Sequence, residues 1–164
     1  MKKLIFAILS LGLLLTSNAS AVDVSDSSCR NFAWDTSTAP QADLCFDIQY
    51  VQPEYILYNG VSYYGYYEDV KGYQTSTYLN HEGSYLHIYV DVFGVPNTEP
   101  TVMYKYRTLP IVASENIINS SGGNIINGKR YVFAYYQDSN WGAVDSGDII
   151  VKKYATVVDS LHVQ

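Results

Sequence analysis

The stretch YLHIYVDVF, residues 85–93, alternates between aliphatic side chains and side chains of other kinds. The aliphatic positions are Leu86, Ile88, Val90 and Val92. The positions between them are Tyr85, His87, Tyr89, Asp91 and Phe93. Because successive side chains of a β-strand point to opposite faces, this pattern predicts a strand. We expect its aliphatic face to be buried and an aromatic, partly polar row to face outward.

Six further runs share this β-prone composition, and they span residues 45–51, 55–58, 61–67, 101–107, 130–136 and 148–158. Tyrosine, valine, isoleucine and threonine dominate them, and these residues fit a pleated, half-buried surface. Helical periodicity is nearly absent after residue 21. The sequence therefore predicts an all-β fold, an antiparallel β-sandwich of Greek-key or jelly-roll-like type, with a small β-barrel as the alternative.

Turn residues separate several of these runs. Asn59 and Gly60 stand between YILY and VSYYGYY, and Asn-Gly between β-prone runs is a strong hairpin signal because both turn positions need positive φ. Asn127 and Gly128 carry the same signal before KRYVFAYY. The segment NIINSSGGNIIN, residues 116–127, fits either a small hairpin or a flexible loop.

The first 21 residues have the plan of a secretory signal peptide. Lys2 and Lys3 precede an apolar run at positions 4–15, and small residues at Ala19 and Ala21 suit cleavage after Ala21. The apolar run has about 12 residues, fewer than the roughly 20 of a membrane-spanning helix. We expect a signal peptide at 1–21, a single β domain at 22–164 without a membrane span, and a secreted or periplasmic protein of bacterial origin.

Cysteine and charge narrow the class of protein further. An exported chain with two cysteines usually pairs them, so we expect a disulfide between Cys29 and Cys45 that ties the N-terminal segment to the first strand. Removing Lys2 and Lys3 from the 10 basic side chains leaves 8 against 16 acidic ones, a net charge of −8. Such a surface repels phosphate backbones, and nucleic acid is excluded as an expected partner.

Tyrosine is the unusual component, with 17 residues in the chain. We predict ligand binding through an exposed aromatic surface made of Tyr63, Tyr64, Tyr66, Tyr67, Tyr85, His87 and Tyr89. Alternation across residues 61–67 would place Tyr63 and Tyr67 on one face and Tyr64 and Tyr66 on the other, so we expect at least one of these pairs to face the solvent. Tyrosine has a flat apolar body and a hydroxyl group, which suits recognition at wet interfaces, but it also simply stabilises sheets through cross-strand pairs.

The sequence offers little for catalysis or metal binding. It has no GxSxG, HExxH or Walker motif. His87 and Asp91 share a strand face but stand about 13 Å apart along it, while His81 lies in a turn-like stretch and His162 in the tail. Oxygen-bearing side chains in the run at 138–148 make a calcium site conceivable, and they are Asp138, Asn140, Asp145 and Asp148. No other cofactor is expected.

We therefore predict an exported binding protein that is not an enzyme. Its expected partner is a glycan or a cell-surface component held by the tyrosine-rich sheet. Three alternatives stay open. A structural subunit of an extracellular fibre or matrix would associate through the strand edges of the uncharged segment 55–67. A periplasmic inhibitor or immunity-type protein would use the acidic surface, and a hydrolase would bring carboxylates together only in the fold.

Overall fold

The computed structural model describes residues 45–72, 74–94, 99–119, 125–138 and 142–164. These residues form ten β-strands in two antiparallel sheets, and the first sheet is strongly curled. The strands are β1 (Cys45–Tyr58), β2 (Val61–Tyr64), β3 (Glu68–Asp69), β4 (Asn80–Phe93), β5 (Thr101–Tyr104), β6 (Arg107–Thr108), β7 (Ile111–Asn119), β8 (Ile125–Tyr136), β9 (Gly147–Lys153) and β10 (Thr156–Val163). The predicted all-β, antiparallel fold is confirmed.

The first sheet has the strand order β2-β1-β4-β8-β7, with β3 paired to β1, and the second has the order β10-β9-β5-β6. The central strand β4 pairs with β1 on one side and with β8 on the other. One hydrophobic core joins both sheets. It includes Leu86 and Ile88 of β4, Val102 of β5 and Ile149 of β9, all fully buried.

The stretch at 85–93 forms the C-terminal part of β4, and its aliphatic face is buried as predicted. Its second face faces outward only in part, because Asp91 and Phe93 are fully buried. Asp91 is tolerated there because it accepts two hydrogen bonds from Arg130, at 2.7 Å and 2.9 Å. The prediction of an entirely outward row was wrong at this end of the strand.

Three predicted strands end earlier than expected at tight turns. The run 61–67 stops at Tyr64, since Gly65 adopts a φ of 68°. The run 101–107 turns at Lys105 and Tyr106, which have φ of 48° and 64°. The run 148–158 turns after Lys153, where Tyr154 has a φ of 55°. Apart from Gly65, these turn positions carry no residue that favours positive φ, so no local pattern indicates these turns.

Of the two predicted Asn-Gly turns, one is confirmed and one is wrong. Asn59 and Gly60, at φ of 52° and 76°, connect β1 to β2 in a two-residue hairpin. Asn127 and Gly128 instead lie inside β8. Gly128 is needed there for close approach, since a Cβ on it would lie 2.3 Å from the carbonyl oxygen of Val92. In the segment 116–127, β7 and β8 pair antiparallel up to Asn119 and Ile125, and residues 120–124 lie outside the described ranges.

Tyrosines also contribute to the core. The rings of Tyr104 and Tyr135, both buried, meet edge to face with centroids 5.0 Å apart. Their hydroxyls donate to the backbone carbonyls of Asp145 and Gly142. Burial raises the pKa of both hydroxyls, so they stay protonated donors. These two tyrosines therefore fix the segment that leads into β9.

Two predictions concern residues outside the described ranges. The signal peptide at 1–21 lies there entirely, and so does Cys29, so both the peptide and the disulfide to Cys45 stay predictions. Within the residues that the structure describes, no helix is long and apolar enough to cross a membrane.

Candidate functional site: an aromatic sheet face

One solvent-facing side of the first sheet carries a group of aromatic side chains, which we call the aromatic face. It consists of Tyr50, Tyr67, Tyr85, His87, Tyr89 and Tyr136. The core lies on the other side of the same sheet, because these residues alternate with the buried aliphatic positions of β1, β4 and β8.

Strand register brings these residues together from distant parts of the sequence. Tyr89 of β4 lies opposite Tyr50 of β1, and Tyr85 of β4 lies opposite Tyr136 of β8. The short strand β3 pairs with β1 and thereby positions the preceding residue, Tyr67, beside the same surface. Three segments of β-structure thus converge on β4, which supplies the centre of the face.

The rings form two adjoining groups. In the first, Tyr89 has centroid distances of 6.2 Å to Tyr50 and 5.9 Å to Tyr67. In the second, His87 has centroid distances of 5.2 Å to Tyr85 and 6.0 Å to Tyr136. His87 and Tyr89 are two positions apart on one strand and therefore neighbours on the same face. The result is a continuous apolar surface with polar atoms at its ring edges.

Hydrogen bonds fix the orientation of several rings. The Tyr89 hydroxyl donates to Oε1 of Gln52 at 3.1 Å. The His87 Nε2 atom lies 3.3 Å from the Tyr136 hydroxyl. Burial raises the pKa of Tyr89, with further contributions from Tyr67, and burial lowers the pKa of His87. The face therefore presents a protonated tyrosine and a neutral imidazole at neutral pH.

A buried ion pair supports one end of this surface. Arg130 holds Asp91 with both carboxylate oxygens engaged, and its guanidinium lies 5.3 Å from the Tyr50 ring centroid. Burial raises the pKa of Asp91 to about 6, although Arg130 acts in the opposite direction. The Arg130 charge is thus shared among Asp91, the Tyr50 ring and Glu115, whose Oε1 is 3.7 Å away.

The predicted ligand-binding tyrosines divide between different surfaces. Tyr67 joins Tyr85, His87 and Tyr89 on the aromatic face, as described above. Tyr64 instead packs on Tyr55, at a centroid distance of 5.4 Å. Tyr63 and Tyr66 line a separate apolar cleft of about 360 Å³ together with Ile56, Tyr58 and Leu79.

Both of the tyrosine pairs considered in the sequence analysis face the solvent. Tyr63, Tyr64, Tyr66 and Tyr67 are all exposed, with fractions from 43% to 70%. Strict alternation does not apply to them because β2 ends at Tyr64 and Gly65 turns the chain. The expectation that at least one pair faces the solvent is confirmed, whereas the division of the pairs between opposite faces of a continuous strand over 61–67 was wrong.

Sequence reasoning missed Tyr50, Gln52 and Tyr136 as members of the site. Tyr50 and Tyr136 lie in runs that were predicted as strands, and Gln52 directly follows one of these runs. Only the register of β1 and β8 against β4 shows that they adjoin His87 and Tyr89. The available signal was the alternation in 130–136, which places Tyr136 on the face opposite Tyr135.

The proposed calcium ligands have other partners where the structure describes them. Asp145 forms an ion pair with Lys105, and Asp148 forms one with His162. No group of three His, Cys, Asp or Glu side chains within the described ranges is arranged to hold a metal ion. Asn140 lies outside those ranges, and the calcium site stays a prediction.

His81 and His162, which the sequence analysis placed in a turn-like stretch and in the tail, both lie in strands. His81 lies in β4 rather than in a turn, is fully buried, and faces Glu68 across 3.4 Å. His162 lies in β10, with Nδ1 2.6 Å from Asp148 and Nε2 3.1 Å from the hydroxyl of Ser146. The register of β9 and β10 creates this second cluster, which no local sequence pattern indicated.

Comparison with known proteins identifies one family. The model of a domain of unknown function (DUF4879) matches residues 55–158, which is more than half of the chain. The matched range includes five members of the aromatic face and leaves out Tyr50. It also includes Ser146 and Asp148 and ends before His162. No curated protein and no solved structure matches the chain.

Proposed function

We propose that this chain, which belongs to the DUF4879 family, binds a neutral saccharide through its aromatic face. The observation that supports this proposal is that two groups of rings, one around Tyr89 and one around His87, adjoin on the same face of β4. A surface of this kind is long enough to contact more than one sugar ring.

The surface of a sugar ring is chemically complementary to the aromatic face. A pyranose ring has faces of C–H groups, which pack on aromatic rings, and a rim of hydroxyls, which needs hydrogen-bond partners. Tyrosine provides both in one rigid side chain that loses little conformational entropy on binding. The amide of Gln52 and the ring nitrogen of His87 add polar groups at the same surface.

Charge favours a neutral ligand over an anionic one. The cation beneath the face, Arg130, is 13% exposed and already paired with Asp91 and Glu115. An anionic glycan would therefore find no uncommitted guanidinium there, and the net acidic character of the chain would repel it. A neutral glycan needs no free guanidinium and is not repelled by the acidic chain.

The first experiment is a glycan array that contains neutral and anionic saccharides. We expect binding to neutral glycans, and we expect Tyr136→Ala to weaken it at least about tenfold, since exposed aromatic anchors dominate recognition surfaces. Tyr154→Ala is the matched control, because Tyr154 is 74% exposed but belongs to the turn between β9 and β10. Equal loss in both variants, or an array without signal, would refute the proposal.

A second candidate function is a structural subunit that assembles through strand edges. The first sheet ends in β2 on one side and in β7 on the other, so two edges point in opposite directions. In β7, Ile111 and Val112 are 37% and 48% exposed, and Glu115 is its one charged residue. Long edges with few charges pair readily with other chains.

Light scattering over a range of protein concentrations tests this alternative. Assembly should increase with concentration and should be suppressed by Val112→Lys, which adds a charge to the edge. Tyr106→Lys is the control, since Tyr106 is 89% exposed but lies in the turn between β5 and β6 of the second sheet, away from both edges of the first. A chain that stays monomeric at every concentration argues against assembly.

A further inference from the structure

The hairpin of β9 and β10 brings a serine, a histidine and an aspartate into one hydrogen-bonded row. His162 lies directly opposite Asp148 in the strand register, and Ser146 precedes Asp148 by two positions. The Nδ1 atom of His162 is 2.6 Å from Oδ1 of Asp148, and its Nε2 atom is 3.1 Å from Oγ of Ser146. Each nitrogen of the imidazole therefore has a different partner.

The partners determine which nitrogen carries the proton. An ionised carboxylate only accepts hydrogen bonds, so Nδ1 of His162 must donate to Asp148. In the neutral imidazole, Nε2 is then an acceptor, and the hydroxyl of Ser146 donates to it. This is the arrangement in which a histidine removes the proton of a serine nucleophile while a carboxylate holds its ring in place.

The histidine is fixed by its backbone on a rigid part of the fold. The His162 N–H donates to the carbonyl of Thr75 at 2.9 Å, and its carbonyl accepts from the N–H of Thr77 at 2.8 Å. The flanking residues Leu161 and Val163 are buried. Alternation along β10 therefore turns the imidazole outward at a defined position.

A cleft begins at the His162 ring. Its volume is about 370 Å³, within the range of small-molecule sites, and Ile150 and Val157 give it apolar walls. Thr75 and Ser160 add hydroxyl-bearing side chains to the lining. The cleft therefore suits a short hydrocarbon chain next to a hydrolysable bond.

From this geometry we propose that Ser146 and His162 form an acyl-transfer site for small carboxylic esters with an apolar acyl chain. This site is separate from the aromatic face, because it lies on the second sheet and does not depend on glycan binding. Ser146 is the nucleophile, His162 the general base, and Asp148 a positioning residue that holds the imidazole.

The reaction balances without a cofactor. Oγ of Ser146 attacks the ester carbonyl carbon while its proton passes to Nε2 of His162. The bond from the carbonyl carbon to the alkoxy oxygen breaks, and the leaving alcohol takes that proton. Water then attacks the acyl-serine, gives a proton to His162, and releases the carboxylic acid as Ser146 regains its proton.

The site is open to solvent, since the side chains of His162 and Asp148 are 47% and 64% exposed. Electrostatic stabilisation is weaker in such surroundings than in a closed active site. We therefore expect slow turnover, which makes covalent labelling a more sensitive measurement than hydrolysis alone.

A fluorophosphonate probe on the full chain tests the proposal directly. Mass spectrometry should locate the phosphonyl group on Ser146, and Ser146→Ala or His162→Gln should slow labelling about 100-fold, as expected for loss of a nucleophile or its base. Ser62→Ala is the matched control, because Ser62 is an exposed serine of β2, on the first sheet and outside the cleft. It should label at the rate of the unaltered chain.

Hydrolysis of p-nitrophenyl butyrate provides the second measurement. Asp148→Asn should lower kcat more than it changes KM, and Asp148→Glu should restore part of kcat, whereas a purely structural role would give no such rescue. Circular dichroism confirms that each variant is folded. The proposal is overturned if the probe modifies no serine or labels Ser160 instead, or if Ser146→Ala hydrolyses the ester at the unaltered rate.

Discussion

The imidazole of His81 and the carboxylate of Glu68 face each other in the interior, with Nε2 and Oε2 3.4 Å apart. Nδ1 of His81 lies 2.7 Å from the carbonyl of Leu79 and donates to it. Within the described residues, neither Nε2 of His81 nor Oε2 of Glu68 has a hydrogen-bond partner. Two acceptors at this distance repel each other unless a proton lies between them. The stability of the fold therefore depends on pH through this pair.

Burial lowers the pKa of His81 below its usual value of 6.5, although Glu68 opposes that shift. The unfolded chain then binds a proton on this histidine more readily than the folded chain does. The contribution of His81 to the free energy of unfolding is therefore complete above pH 6.5 and decreases as the pH falls below that value.

When the pH falls from 7 to 5, the free energy of unfolding should decrease more for the unaltered chain than for His81→Gln. Urea titrations at both pH values measure this difference. Val157→Gln is the control, because Val157 is an exposed residue without an ionisable group, and its replacement should leave the pH dependence unchanged. Parallel pH profiles for the unaltered chain and His81→Gln would contradict the assignment.

The pair of Asp91 and Arg130 should be strongly coupled. Arg130→Met leaves a fully buried carboxylate without its cation, which costs about 3 to 5 kcal/mol in comparable buried pairs. The double variant with Asp91→Asn should recover part of this loss. Lys71→Met, at the more exposed ion pair with Asp69, should cost about 1 kcal/mol or less.

The pH dependence of the Arg130→Met effect gives an independent check. Because burial raises the pKa of Asp91 to about 6 even with Arg130 present, removing the guanidinium should raise it further. Asp91 would then be neutral at pH 5, and the destabilisation should be smaller there than at pH 7. Equal destabilisation at the two pH values would argue that Arg130 acts through packing alone.

The close contact at Gly128 should not tolerate a side chain. Gly128→Ala places a methyl group against the backbone of β4, 2.3 Å from the Val92 carbonyl oxygen, and we expect a loss of about 1 to 3 kcal/mol. Gly142→Ala is the control, since a Cβ there has no atom within 4 Å. Thermal unfolding of both variants measures the difference, and equal melting temperatures would exclude strain at Gly128.

The turn between β5 and β6 places Tyr106 at a φ of 64° with 89% of its surface exposed. Asparagine adopts this conformation more easily than tyrosine does, so Tyr106→Asn should stabilise the fold by roughly 0.5 to 1 kcal/mol. Val157→Asn alters a strand residue that is 53% exposed and should give no gain. A destabilised Tyr106→Asn variant would show that the ring makes contacts that outweigh the backbone strain.

The sequence was most informative where side-chain pattern and burial agree. Residues 85–92 alternate cleanly, and the strand and its buried face follow from that alternation alone. The hairpin at Asn59 and Gly60 was readable because both turn positions require positive φ. The turns at Lys105, Tyr106 and Tyr154 were not readable, because those residues occupy positive φ only under the constraint of the paired strands.

In the candidate sites, too, the sequence predicts residues that share one strand but not those that only the strand register brings together. Tyr85, His87 and Tyr89 were recognisable because they lie on one strand, whereas Tyr50 and Tyr136 join them only through strand register. Gly128 resembled a turn residue but is required by close packing, which depends on its neighbour in space. The contact between His162 and Asp148 also depends on register, so no local pattern predicts it.

The most direct test of the central claim compares saccharide affinity across three chains by calorimetry, with a neutral glycan selected on the array. We expect the unaltered chain and Tyr106→Ala to bind with equal affinity. His87→Ala should bind at least about tenfold more weakly, because it removes the ring between Tyr85 and Tyr136. Equal affinity in all three chains would contradict binding at the aromatic face.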